Sequence, residues 1–222
     1  MLIALKKLDV HNIYNKTASY YDIYHHLGTY GFDERGRNAL VNKIIRKDDY
    51  VLDSGGGTGI TAIKAGFSVG KKGKIVILDM SENMLEQAKN KIEKLGMMER
   101  FILKVGDMYE IPYPDETFDK VLSTYSTCPL EDPLKAVKEM LRVLKEGGIL
   151  GIAHSTDPNN KLAVWISGKI EGFIWRFPRL SPGCRKISLV DDIRKMNVEI
   201  IEEKIIGLIP FFFKILIIKK IN

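Results

Sequence analysis

The sequence predicts an α/β fold: a doubly wound sheet of seven strands, mostly parallel, finished by an antiparallel hairpin. Three observations carry this. Short β-branched runs alternate with helical periodicity between residues 49 and 154. The first of those runs enters a glycine-rich turn directly. The last two apolar runs are separated by too few residues for a crossover, so they form a hairpin. With 222 residues, 45% of them hydrophobic and 28% charged, the chain suits a single α/β domain over residues 1–222.

Each element has its own signal. Residues 10–48 read as helical, with Gly28 and Gly31 dividing them into two pieces, the first carrying Tyr20, Tyr21 and Tyr24. Residues 49–53 form a short apolar strand that runs into Ser54-Gly55-Gly56-Gly57-Thr58-Gly59, and a helix follows over 60–67. A second strand, 74–78, ends on Asp79. Ser81 caps an amphipathic helix that runs to Leu95. Strands follow at 101–105 and 120–124. In 134–144, Leu134, Val137, Leu141 and Leu144 share one helical face, Gly147-Gly148 ends the helix, and 149–154 is the fifth strand. The closing strands are 198–206 and 211–219, with Gly207 and Pro210 between them and Phe211, Phe212 and Phe213 read as core.

Composition narrows the class of function. A net charge of +6 favours anionic partners: nucleic acid, acidic lipid or a negatively charged substrate. The two cysteines, Cys128 and Cys184, are too far apart in sequence to form a disulfide framework or a Cys-x-x-Cys site, and no metal site is expected. No apolar run reaches 18 residues, and the first residues are too short an apolar run for a secretory signal. The expected location is the cytoplasm, with peripheral membrane contact as an addition to it.

The glycine turn carries the chemistry. A strand that ends in glycines before a helix presents backbone amides at a helix N-terminus. The spacing is Asp53-x-Gly55-x-Gly57-x-Gly59, and Asp79 ends the next strand 20 residues after Gly59, placed to accept both hydroxyls of a ribose. Taken alone, the turn leaves a dinucleotide site open, because Gly57-Thr58-Gly59-Ile60-Thr61-Ala62 also fits G-x-G-x-x-A. Asp53 weighs against it: a carboxylate beside a pyrophosphate is unfavourable, whereas it suits a sulfonium with an α-amino group.

Taken as a set, VLDSGGGTG, ILDMSENMLEQAKNKI, GDMYEIPYPDETFDKVLS and LRVLKEGGIL resemble the class I S-adenosylmethionine-dependent methyltransferases, which have a Rossmann-like fold. They are most similar to the ubiquinone/menaquinone C-methyltransferase-like (methyltransferase type 11) group, and YNKTASYYDIYHHLGTYGFDERGR is similar to that group's opening segment. The resemblance implies S-adenosyl-L-methionine as cofactor. It places Asp53, Gly55 and Gly57 around the methionine half, Asp79 on the ribose and Met80 on the adenine. Asp107 would take the adenine amine with Met108 beside it, Tyr125 would lie near the sulfonium, and Tyr20 or Tyr21 would close the site from a helical lid at residues 10–35.

Methyl transfer is an in-line displacement that needs orientation, plus a base where the acceptor is protonated. His154, at the end of the fifth strand, and Tyr125 are the candidate catalytic residues. In the quinone group an Arg-Asn pair follows the fourth strand; here those positions hold Cys128 and Pro129. Cys128 adjoins no cation that would make it a thiolate and reads as a wall of the acceptor site. Residues 155–190 read as a substrate lid, with Trp165, Trp175 and Arg176 as its contact residues. Residues 156–187 hold six basic and two acidic side chains. Aromatics among cations suit a small hydrophobic, lipid- or quinone-like acceptor, or an anionic membrane. The alternatives are an RNA or protein methyltransferase, a non-catalytic binder of the same cofactor, and a nicotinamide-dependent oxidoreductase.

Overall fold

The structure, a computed structural model, describes residues 7–29, 31–158, 160–174, 186–209 and 211–221. Three helices lead: α1 (Lys7–Thr17), α2 (Tyr21–Gly28) and α3 (Phe32–Ile44). There follow β1 (Tyr50–Ser54), α4 (Ile60–Val69), β2 (Lys74–Asp79), α5 (Glu82–Lys94), β3 (Phe101–Val105), β4 (Phe118–Thr124), α6 (Pro133–Val143) and β5 (Leu144–Thr156). The chain continues with α7 (Lys161–Ile174), α8 (Val190–Ile193), β6 (Val198–Leu208) and β7 (Phe211–Lys220). The strands make one seven-stranded sheet, ordered β3-β2-β1-β4-β5-β7-β6. β1 to β5 are parallel, and β7 runs antiparallel to both β5 and β6.

Strand alternation sorts the core into two layers. Leu40, Val41 and Ile44 of α3, Ala62, Ala65 and Val69 of α4, and Leu85, Ala88 and Ile92 of α5 pack with Val51, Ile75 and Ile77 on one face. Ala136, Val137 and Met140 of α6 and Ile193 of α8 pack with Leu52, Val76, Leu150 and Leu216 on the other. The central strands, covered on both faces, are therefore apolar almost throughout. The chain reverses its progress across the sheet between β1 and β4, and this opens a crevice at their carboxyl ends.

The predicted Rossmann-like doubly wound sheet is present, with two local differences. The amino-terminal helical region breaks between Thr17 and Tyr21 as well as at Gly31. The Thr17 hydroxyl donates to the Ile13 carbonyl at 2.9 Å, and the Tyr20 amide to the Thr17 carbonyl, which closes α1. The fifth strand begins at Leu144, because Gly147 and Gly148 lie within a register shift between the Phe118–Leu144 and Lys120–Ile149 pairs and do not precede the strand.

The third glycine of the turn, Gly59, is set by packing. It sits at φ +79°, and a Cβ there would lie 2.9 Å from the Ala88 Cβ of α5. Gly59→Ala is therefore expected to cost about 2–4 kcal/mol, from left-handed strain plus overpacking, as measured by urea unfolding.

Candidate functional site

The carboxyl ends of β1 to β4 border one cavity of about 930 Å³, counting its open mouth. The turn after β1 forms its floor. Gly55 and Gly57 take φ +69° and +54°, which glycine adopts without penalty. A Cβ at Gly55 would stand 2.5 Å from the Ser126 Cβ, while at Gly57 nothing lies closer than 3.9 Å. The second position faces open space, so the bare backbone there leaves room for a ligand.

Asp79 holds this turn in place. Its Oδ2 accepts the Gly57 amide at 2.8 Å and its Oδ1 the Ser81 amide at 2.9 Å. Each oxygen keeps a second lone pair for a hydroxyl. Burial pushes the Asp79 carboxyl up, opposed by these two amides. Ser81 then caps α5 by accepting the Met84 amide and donates its hydroxyl to Asn15 of α1. Asp22 of α2 accepts from the Thr58 hydroxyl and pairs with Lys91. Through these contacts α1 and α2 are fastened over the turn, and Val10, Tyr14 and Tyr21 line the cavity from their side.

The remaining walls are apolar with spaced polar groups. Leu78, Met80, Met84 and Met108 line one part, Tyr109, Pro129 and Leu130 another. Asp107, beyond β3, accepts the Tyr109 amide at 2.9 Å. Arg37 of α3 also lines the cavity; its Nη1 donates to the hydroxyls of Thr61, at 2.6 Å, and Thr124, at 2.8 Å. Behind Arg37, Asp33 accepts from His25 Nδ1 at 3.1 Å and Thr29 Oγ1 at 2.7 Å. Burial, the largest single influence, opposes the charge on Asp33, but the hydrogen bond and charge of His25, the Thr29 hydroxyl and the Arg37 guanidinium together outweigh it and hold the carboxyl below its ordinary range. Burial lowers His25.

A family model described as the ubiE/COQ5 methyltransferase family matches residues 2–164. The chain belongs to that family. It is 32% identical over 155 residues to a demethylmenaquinone methyltransferase from Lactobacillus johnsonii, a match that spans 69% of this chain and 64% of that protein. It is 30% identical over 150 residues to the Escherichia coli ubiquinone/menaquinone biosynthesis C-methyltransferase UbiE, across 67% of this chain and 60% of the relative. The chain thus spans less than two thirds of the length of these curated relatives. Among solved structures it is similar to the [4+2]-cyclase SpnF, with TM-score 0.76 and 18% identity over 100% of this chain and 98% of that one. It is also similar to a SAM-dependent methyltransferase from Aquifex aeolicus, with TM-score 0.59 and 22% identity over 83% and 89% of the two chains. At these identities the structural likeness shows the fold.

In this ubiE/COQ5 family member, Tyr21, Gly55, Gly57, Asp79, Met80, Asp107, Met108 and Tyr125 all line the cavity. Other expected residues are placed elsewhere. Asp53 lies under the turn, fully buried and outside the lining. Neither of its oxygens makes a hydrogen bond of good geometry, and burial raises its pKa to about 7 against the opposing pull of Arg37 and the Ala62 amide. His154 is fully buried and outside the lining too: its Nδ1 donates to the Ser155 carbonyl, and burial lowers its pKa to about 4. A base needs reach to its proton, and this ring, turned into the core, has none into the cavity. Tyr125 lines the cavity, yet its hydroxyl donates to the Asp33 carbonyl at 3.1 Å and its ring packs edge-on against Phe213. Cys128 is buried, with Sγ accepting the Ser155 amide at 3.2 Å, and is not part of the lining. Trp165 stands 63% exposed on α7, away from the cavity. Trp175 and Arg176 lie outside the described residues.

Sequence reasoning missed Arg37, Tyr14, Thr58 and Ser126. For Arg37 a signal existed. Asp33 and Arg37 share the α3 face of Leu40, Val41 and Ile44, so an i, i+4 charged pair sits on an apolar stripe where charges belong only if something inside needs them.

The two displaced titrating groups have opposite linkage. His154 is depressed, so it contributes stability above pH 6.5 that is lost as pH falls toward 4; Asp53 is raised, so its burial costs more as pH rises from 3.8 toward 7. Urea unfolding at pH 7 and pH 5 is expected to show His154→Asn gaining about 2 kcal/mol relative to the native chain on acidification, and Asp53→Asn losing about 2 kcal/mol.

Proposed function

We propose that this chain is an S-adenosyl-L-methionine-dependent methyltransferase acting on a small hydrophobic, quinone-like acceptor. The observation that carries this reading is the cradle of Asp79 and the Gly55–Gly57 turn, open to an apolar cavity at the sheet's switch point in a ubiE/COQ5 family member. The names of the relatives, a demethylmenaquinone methyltransferase and a ubiquinone/menaquinone biosynthesis C-methyltransferase, support the quinone-like acceptor. The largely apolar lining, with Leu78, Met80, Met84, Met108, Pro129 and Leu130, supports a small hydrophobic molecule.

The bound donor supplies a methyl group carried on positively charged sulfur. The chain's own groups orient it. Asp79 takes the ribose hydroxyls on its spare lone pairs, and Met80 and Met108 cover the adenine. Asp107 accepts from the adenine amine. Tyr14 and Tyr21 close the cavity from α1 and α2, so that residues 10–35 act as a lid that excludes water. Tyr109, Pro129 and Leu130 offer the acceptor an apolar wall. Rate then comes mainly from holding donor and acceptor in line.

No described residue of 155–190 lines the cavity, and α7 touches the membrane that supplies a lipid-like substrate. Ile23, Leu27, Leu162 and Trp165 stand exposed on α2 and α7, as an interfacial surface requires. Among the described residues no helix is long and apolar enough to cross a membrane.

Two measurements test the reading. The chain incubated with S-adenosylmethionine and a short-chain naphthoquinol is expected to give S-adenosylhomocysteine and a mono-methylated naphthoquinol by mass spectrometry; no methylation of any hydrophobic quinol would refute the acceptor. Asp79→Asn keeps the shape but turns one acceptor oxygen into a donor facing an amide. Its affinity for S-adenosylhomocysteine is expected to fall about thirtyfold by calorimetry, and an unchanged affinity would move the nucleoside elsewhere.

A further inference from the structure

Helix α2 presents its apolar side outward, the reverse of an ordinary surface helix. Its cap Tyr20 and its residues Ile23, Tyr24 and Leu27, spaced i, i+3, i+4 and i+7, form a stripe that is 43% to 68% exposed. The Tyr20 and Tyr24 rings meet edge-on within it, 5.2 Å between centres. The opposite face does the holding. Tyr21 lines the cavity, Asp22 accepts from the Thr58 hydroxyl and pairs with Lys91, and His25 Nδ1 bonds to Asp33. Other exposed apolar groups stand at the same end of the sheet. β7 runs antiparallel to β5 and β6, so the turn holding Leu208 and Ile209 sits where β1 to β5 finish. α7 follows from that end of β5 and exposes Leu162 and Trp165. Lys161 and Lys169 stand exposed one turn either side of Trp165, the Lys169 Nζ 6.0 Å from the ring centre. Aromatics and cations among exposed apolar side chains are the composition of a surface that lies on anionic lipid.

We propose that this end of the molecule docks on an anionic bilayer, and that the bilayer opens α2 as a lid. The proposal rests on the membrane-borne acceptor read above and assigns its route. In the closed position Asp22 and His25 hold the inner face of α2 on the body, and the apolar stripe stands in water. Released from Thr58, Lys91 and Asp33, α2 can lay all four apolar groups in lipid. The bilayer therefore binds the open lid more tightly than the closed one, and that difference shifts the balance between them. Asp22 and Lys91 are both part-exposed, so their contact is exchanged for water at small net cost. An acceptor in the bilayer then passes beneath α2 into the cavity without crossing water. The cations select the occupant. With a net charge of +6 and lysines on both sides of Trp165, the face attracts an anionic lipid surface. A second copy would bring like charges together.

Vesicle co-sedimentation and the rate of S-adenosylhomocysteine release test this on the native chain and on the double variant Ile23→Ser, Leu27→Ser. The native chain is expected to bind vesicles of phosphatidylcholine mixed with phosphatidylglycerol at least about tenfold more tightly than phosphatidylcholine alone. The mixed vesicles should speed release of bound S-adenosylhomocysteine about tenfold. The double variant should lose at least about tenfold in vesicle affinity, and its release rate should not respond to vesicles. Without vesicles it should bind S-adenosylhomocysteine as the native chain does, which shows that it is folded. Equal vesicle binding by the two chains, or none by either, would overturn the docking face. Vesicle binding without faster release would overturn the lid. Self-association of the native chain that the variant lacks, with no vesicle binding, would give the stripe to a second copy and overturn the proposal. Failure to methylate any vesicle-borne quinol would instead overturn the acceptor reading, because vesicle binding and release are both measured without an acceptor.

Discussion

The Asp79 carboxylate accepts one backbone amide from the glycine turn and one from the start of α5. Everything around the cavity depends on this pair of hydrogen bonds. It ties the loop after β1 to the loop after β2, and it fixes the turn with its open side toward the cavity. It also aims the carboxylate's spare lone pairs at the same space. The arrangement is stable because both donors are backbone groups whose positions are set by neighbouring elements, β1 through its pairing with β2 and Ser81 through the cap of α5.

From that point the fold builds outward in a fixed order. The β1–β4 switch supplies the crevice, and the apolar ends of the crossovers supply its walls. The amino-terminal helices then add what a parallel sheet cannot, a cover. They are fastened by polar contacts, Asn15 to Ser81 and Asn83, and Asp22 to Thr58 and Lys91. Contacts of this kind are easier to break and remake than an apolar seam, which suits a cover that a ligand must pass. Beneath it, the buried row of His25, Asp33 and Arg37 brings one cation, Arg37, to the cavity wall.

The fold was largely legible, and for identifiable reasons. Strands with both faces covered read as continuous apolar runs, and glycine turns and caps mark where they end. The break at Thr17 was hidden because a hydroxyl back-bond to Ile13 does not alter the hydrophobic period. The strand start at Leu144 was hidden because two glycines inside a register shift look like a helix stop. In the site, the residues carried by the glycine turn and the strand ends were legible, since backbone geometry dictates them. His154 and Cys128 were not, because a strand end alone does not say which face a side chain takes. His154 shares the Ile152 face, beneath the sheet, and its ring bonds back to Ser155. Arg37 went unread because its meaning depends on Thr61 and Thr124, which join it only in three dimensions.

The central claim is that the Asp79 cradle grips a sulfur-bearing adenine nucleoside and not a dinucleotide. Calorimetric titration of the native chain with S-adenosylhomocysteine and, separately, with NAD tests this most directly. The account predicts saturable micromolar binding of S-adenosylhomocysteine and no heat from NAD. Tighter binding of NAD, or silence toward S-adenosylhomocysteine at millimolar concentration, would contradict it.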